Sequence, residues 1–278
     1  MTTFLITGIG GPAGRSLARQ LMERGFRVVG TDMREVEVMG ATVYQVPAAT
    51  NPTFLPALQH IARESHAGVL IPTVTEELVM LAEAGAAFDL QLMLSPLQGT
   101  WLANDKYLTY EQLRAVGVNV PPTILPSHVQ SLAEVEARLG MPCLSKPRRS
   151  RGGRGVVVHE GEAWEAIQAL NDDSILQSFA PGTEYAPNLY MHANGDATVV
   201  VLEKTELAQG RVGNAVKVQR VEVEDVAAVA VAAAQALGLR GAVDVDIRRM
   251  ADGTPVVPEA IREVLDEERL ALLGVVPF

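Results

Sequence analysis

Cysteine is nearly absent. Cys143 is the only one in 278 residues, which excludes a disulfide framework and any thiolate metal cluster. Its neighbours Met141 and Leu144 are apolar, so a small buried residue is expected there rather than a nucleophile. Histidine is scarce as well. His60, His66, His128, His159 and His192 never stand at ligand spacing with a second His or Cys, which argues against zinc and leaves only a hard ion held by carboxylates. No uncharged apolar run reaches about 18 residues, and the short stretch 4–6 follows no basic start, so neither a membrane span nor a leader peptide is read. A cytoplasmic protein is the expectation. The motif Gly-x-x-x-x-Gly-Lys-Ser/Thr is missing, which excludes a P-loop. Tyr-x-x-x-Lys is missing too, since none of Tyr44, Tyr107, Tyr110, Tyr185 and Tyr190 is followed by lysine at that spacing. Positive charge is in short supply, the formal net charge being -10.

Against that acidic background one basic stretch stands out. Lys146-Pro147-Arg148-Arg149-Ser150-Arg151-Gly152-Gly153-Arg154-Gly155 is followed by Val156-Val157-Val158. An apolar lead-in, a glycine-rich loop and a valine run read as strand, turn, strand. Glycines let the backbone turn tightly and bring bare N–H groups to an anion, while the lysine and arginines supply positive potential. The loop alone leaves two readings open, a grip on phosphate or a solvated hairpin tip.

The first hundred residues alternate strand and helix. Residues 4–7, the turn Gly8-Ile9-Gly10-Gly11-Pro12-Ala13-Gly14, a helix over 16–24 and a strand over 27–32 ending in Asp32 form the start of a βαβ dinucleotide unit. The loop is read as a scaffold that allows close helix packing in preference to a cofactor site with Asp32 on a ribose. Strands over 40–46, 68–72 and 90–94, with helices over 52–65 and 76–82, complete an open parallel sheet whose carboxyl rim holds Gly10, Gly11, Thr73 and Glu76. A helix is expected over 101–117, then an extended Pro121-Pro122 segment. Helices over 131–139 and 162–170, the glycine hairpin and a strand over 174–179 make a small α+β unit. Beyond it come strands over 190–192 and 198–203 around Asn194-Gly195-Asp196, a helix over 226–237, a strand over 241–247 and a return over 255–259. That last hairpin can bring Asp246 and Glu259 together. Two carboxylates aimed at one point repel unless a cation lies between them, and Mg²⁺ is the economical choice.

In order and spacing these residues resemble the ATP-grasp superfamily, in particular ligases built like the carbamoyl phosphate synthase large subunit. The resemblance rests on Asn104-Asp105-Lys106-Tyr107 with Gly117-Val118 and Pro121-Pro122, and on Lys146-Pro147-Arg148 with Gly152, Arg154, Gly155 and Val156. It continues through the stretch 177–184 and the pair Asp246 and Glu259. The implied fold is mixed α/β and α+β, a Rossmann-like parallel sheet over 1–100 followed by a two-part ATP-grasp module, its lid over 101–183 and its metal-bearing part over 184–278. The implied cofactors are ATP and Mg²⁺. By position, Lys106 and Lys146 would meet the α- and β-phosphates, and the amides around Gly152, Gly153 and Gly155 would close over the β- and γ-phosphates, with Arg154 beside them. The Ser178 carbonyl and Ala180 amide would read adenine with Gln177 nearby, Glu184 would hold the ribose hydroxyls, and Asp246 and Glu259 would hold Mg²⁺. Lys146 and Arg154 are the residues assigned to the chemistry, Lys146 by electrostatics and position. The implied reaction converts a carboxylate to an acylphosphate for attack by an amine or similar nucleophile. Small-molecule acid and amine substrates are expected, no nucleic acid, no membrane and, by family analogy alone, a homodimer.

The pattern departs from the family after Glu259, where the expected Asn position is Ile261, a residue unable to coordinate magnesium. Either the ligand is lost, or a segment is missing between Glu259 and Ala260. Two other readings follow: a nucleotide-binding protein without turnover, and a Rossmann NAD(P) oxidoreductase using the 8–14 loop.

Overall fold

The computed structural model describes residues 2–150, 153–209 and 212–258. Three sheets organise the chain. The first comprises β1 (Thr3–Thr7), β2 (Arg27–Asp32), β3 (Thr42–Gln45), β4 (Ala67–Ile71) and β5 (Gln91–Leu92), with helices α1 (Pro12–Glu23), α2 (Phe54–Glu64) and α3 (Thr75–Ala84) between them. All strand pairs are parallel and the order is β3-β2-β1-β4-β5. Period-two alternation sends Phe4 and Ile6 to one face with Leu17, Ala18 and Leu21 of α1, and Leu5 to the other with Phe54, Leu58 and Leu81. This double burial is why the strands read as continuous apolar runs.

Residues expected as one helix over 101–117 form two, α4 (Leu97–Asn104) and α5 (Lys106–Ala115). The break has a local cause. Asp105 is extended, and its carboxylate accepts from the amides of Tyr107 and Leu108, so it caps α5 instead of continuing α4.

The second sheet carries β6 (Thr123–Ile124), β7 (Cys143–Pro147), β8 (Val157–His159) and β9 (Ser174–Ser178) in the antiparallel order β6-β9-β7-β8. Helices α6 (Leu132–Leu139) and α7 (Trp164–Gln168) contribute Val135, Leu139 and Ile167 to its core, where Cys143 is fully buried. Burial pushes that thiol up to about 11, as expected of an inert buried cysteine.

The third sheet has β10 (Glu184–Met191), β11 (Ala197–Gln209), β12 (Val212–Val221), β13 (Gly241–Asp244), β14 (Ile247–Arg249) and β15 (Pro255–Val256), ordered β12-β11-β10-β14-β15 with β13 also on β10. Helix α8 (Glu224–Ala236) lays Ala230, Ala233 and Ala234 against it; small side chains let helix and sheet approach closely. Ala103 of α4 and Leu113 of α5 lie in this same core, so the helices the sequence groups with the lid pack on the third sheet. Strand β12 was not anticipated, and the expected strand 241–247 is divided into β13 and β14. The β11–β12 pairing is regular from Val201↔Val221 to Lys204↔Val218, then shifts register beyond Lys204, so that Glu206 faces Lys217. Among the described residues no helix is long and apolar enough to cross a membrane.

Candidate nucleotide site

The glycine turn after β1 is filled by its own chain. Gly10 donates its amide to Asp32 Oδ2 at 3.0 Å, and a Cβ on Gly10 would lie 2.8 Å from that oxygen and 2.9 Å from Val36. Arg15 clamps the loop from outside, donating to the carbonyls of Gly10 and Glu37 at 3.0 Å each. Asp32 therefore orders the loop, and its second oxygen accepts from the Arg34 amide. This arrangement favours the scaffold reading over a dinucleotide cradle.

Close by, Glu77 in the first turn of α3 is buried. Desolvation raises its carboxyl to about 7; a hydrogen bond from Thr7 partly opposes this, and Glu76 and Asp32 add to it. The folded state thus binds a proton that the unfolded chain releases near pH 4.5, and stability falls as pH rises from there through about 7. Glu77→Gln should remove this slope, raising stability at pH 8 by about 1–3 kcal/mol and leaving it unchanged at pH 4, as thermal melts at the two pH values would show.

The second sheet reaches the third through a side chain of β7. On β7, Lys146 is only 1% exposed and its ammonium donates to the Pro258 carbonyl at 2.6 Å. Strands β14 and β15 run antiparallel with Arg248 across from Val256, so Pro258 lies toward the Asp246 end of that pair. Lys146 therefore reaches from the lid sheet to the strand expected to carry the metal acids. Lys106, also buried, donates to the Ser150 carbonyl at 2.9 Å and the Ser150 hydroxyl at 3.1 Å, at the foot of the glycine loop. In that loop Gly153 and Gly155 have φ of 72° and 73°, which a side chain would strain, and Arg154 is exposed. Gly152 lies outside the described residues.

Arg148 and Arg149 have a different task from the one the loop's charge suggested. Arg148 pairs with Asp105 through Nε at 2.9 Å and Nη2 at 2.8 Å, and Arg149 Nε lies 3.4 Å from the same carboxylate. Asp105, named from sequence only within the motif Asn104-Asp105-Lys106-Tyr107, fastens α5, and with it Lys106, to the base of the loop.

The residues expected beside the base lie at the end of β9 and in the turn just beyond it. Gln177 donates to the Thr123 hydroxyl at 2.9 Å while its buried side-chain oxygen has no hydrogen-bond partner among the described residues. The Ser178 amide donates to the Pro122 carbonyl and its hydroxyl to the Leu139 carbonyl, leaving backbone atoms of the following turn as the candidate adenine readers. Ala180 is buried.

The acids expected on ribose and metal sit together. Glu184 pairs with Arg248 across β10 and β14, and Tyr185 pairs with Glu203, which sets Lys204 beside Glu184 on the same face. Lys204 Nζ lies 2.6 Å from both Glu184 Oε1 and Asp246 Oδ1, and Arg248 Nε lies 3.3 Å from Glu184 Oε2. Arg248 also stacks over the Phe179 ring, just beyond β9, at 5.3 Å. Burial raises the Glu184 carboxyl against the opposing pull of Lys204; burial alone would lower the Lys204 ammonium, but Asp246 and Glu184 outweigh it and raise it. Neither Lys204 nor Arg248 was singled out from sequence, where the available signal was only a charged residue inside an apolar strand. Glu259 falls outside the described residues. Among the described residues no group of three His, Cys, Asp or Glu gathers that could hold a metal. Among the described residues the arrangement does not fit a resident metal ion, for the cation between Glu184 and Asp246 is the Lys204 ammonium.

A lysine-bearing antiparallel sheet with a glycine loop and a second sheet carrying paired acids, both after a parallel α/β unit, define the class. The family model described as ATP-grasp domain matches residues 103–260, more than half of the chain, and the chain belongs to that family. It is similar to the carbamoyl phosphate synthase large chain of Rubrobacter xylanophilus, 25% identical over 175 residues, covering 59% of this chain and 16% of that one. The chain thus spans about a sixth of that relative's length. Two solved structures share the fold. The N5-carboxyaminoimidazole ribonucleotide synthetase of Thermotoga maritima has a TM-score of 0.74 at 18% identity, covering 100% of this chain and 77% of that one. The L-amino acid ligase of Bacillus licheniformis has a TM-score of 0.73 at 17% identity, covering 95% and 67%.

Proposed function

We propose that the chain is an ATP-dependent ligase that joins a carboxylate to an amine, with the nucleotide in the crevice between the second and third sheets. The observation that carries this reading is Lys146, a buried lysine sent from the lid strand to the carbonyl of Pro258 on the facing sheet. A buried ammonium on a strand that leads into a glycine loop is suited to a polyphosphate. The carboxylate oxygen takes the γ-phosphoryl group of ATP and ADP leaves; the amine then attacks the acyl carbon of the acylphosphate, forming the C–N bond, losing a proton and expelling phosphate. Lys146 binds and orients the phosphates by charge. The amides from Gly152 to Gly155 and Arg154 cover their outer end, and Lys106 holds the loop through Ser150 and is placed to reach them. Ser178 and Ala180 present backbone atoms to the base, and Gln177 lies beside them. Magnesium would arrive on the phosphates as part of the substrate; Asp246 and Glu259 are the carboxylates the resemblance assigns to it, and Asp246 is held by the Lys204 ammonium. The lid's closure over the crevice would keep water from the activated acid.

The reading extends the likenesses above: the named relatives are a synthase, a synthetase and a ligase, and the substrates of this chain are its own question. A screen of carboxylic acids and amines for ADP release tests it. ADP formation should require an acid and increase when an amine is added; release independent of both would refute a ligase.

A further inference from the structure

Four charged side chains face one another at the crevice: Glu184, Asp246, Lys204 and Arg248. Two are acids and two are cations, so the formal charge sums to zero. The side chains of Lys204, Glu184 and Asp246 are 8%, 11% and 15% exposed, and one ammonium serves both carboxylates at 2.6 Å. At such burial the interaction is far less screened than at the surface. We propose that Lys204 is a positioning residue that acts as the crevice's tethered cation, holding Asp246 in competition with a divalent ion, so that nucleotide binding by this chain depends only weakly on metal.

The physical argument has two parts. A carboxylate already bonded to an ammonium is a poor ligand for a second cation, because the ion must displace the ammonium or approach it against charge repulsion. Removing the ammonium takes this competitor away from Asp246 but leaves the four-residue cluster with net negative charge, which repels phosphates until a metal restores the balance. The shift of register just beyond Lys204 fits this role. Irregularities of this kind re-aim side chains, and here the last regular pair is the one that sets Lys204 between the two acids.

The proposal rests on the nucleotide reading only in its second part, and the test separates the two. Mn²⁺ alone, followed by electron paramagnetic resonance on nucleotide-free protein, should bind Lys204→Met at least about tenfold more tightly than wild type, since removing a positive charge exposes Asp246. Calorimetric titration of ADP in EDTA should show wild-type binding within about fivefold of its value in Mg²⁺. Lys204→Met should lose about 10- to 100-fold in EDTA and recover with Mg²⁺, a charge-assisted contact being worth about that factor. The double variant Glu184→Gln with Lys204→Met keeps the charge sum at zero and should also bind Mn²⁺ more tightly, which carries the test if the single variant does not fold. Unchanged or weaker Mn²⁺ binding by a folded variant would overturn the proposal. ADP binding that needs Mg²⁺ as steeply in wild type as in Lys204→Met would overturn it as well. Tighter Mn²⁺ binding together with no ADP binding by either protein would support the competition at Asp246 and refute the nucleotide reading instead.

Discussion

Lys146→Ala should weaken ATP binding by about 10- to 100-fold, because a charge-assisted hydrogen bond contributes about 1.5–3 kcal/mol. The side chain is fully enclosed, on a central strand of its sheet and opposite Ile175 of β9, so its position is fixed by a strand ladder and not by a flexible loop. A group held this way loses little entropy on meeting a ligand. Calorimetric titration of ATP, with and without Mg²⁺, measures the effect. Lys146→Arg should not restore affinity, since a planar guanidinium neither fits the space nor reproduces a point charge. Equal affinity in wild type and Lys146→Ala would mean that the crevice does not bind phosphates through this residue.

The second large effect is on stability. Asp105→Ala should cost about 3–5 kcal/mol, the range for breaking a buried ion pair from one side, and the lost helix cap falls within it. Asp105 is 1% exposed and meets two arginines and two backbone amides. Its loss would leave the part-buried Arg148 without its main partner and release the start of α5, where Lys106 reaches Ser150. Asp105→Asn retains a capping oxygen and should cost roughly half as much. Thermal melts of the three proteins check the order. A fall of less than about 1 kcal/mol for the alanine variant would show that Arg148 finds another partner.

Much of this arrangement was legible in the sequence because it depends on local rules. The parallel sheet follows from apolar runs broken by glycine turns, and the β7–β8 hairpin from the basic glycine loop between Lys146 and Val157. Scaffold and cofactor readings of Gly8 to Gly14 could be weighed from the missing Tyr-x-x-x-Lys, and Asp32 bonded to Gly10 shows why the scaffold reading is the better one. What the sequence hid was register. Glu184, Lys204 and Asp246 lie far apart along the chain, and only the pairing of β10 with β11 and β14 brings them together. Strand β12 carries only a short alternation, Val216-Lys217-Val218-Gln219, which Arg220 ends; as the outer strand of its sheet it leaves both valines exposed. The break at Asp105 was not legible, since a carboxylate inside an apolar helical pattern reads as a solvated position until its bonds to the Tyr107 and Leu108 amides are seen.

The shift of register beyond Lys204 has an evolutionary side. Pairing up to Lys204 and Val218 is locked by regular partners on β10, whereas the outer hairpin is joined to it through an irregularity that already absorbs an unequal number of residues on the two strands. Insertions or deletions near the hairpin's tip would be taken up there and would not propagate into the crevice. The outer hairpin is therefore where this fold can change length and surface most freely, and so acquire new contacts without disturbing the charges beneath it.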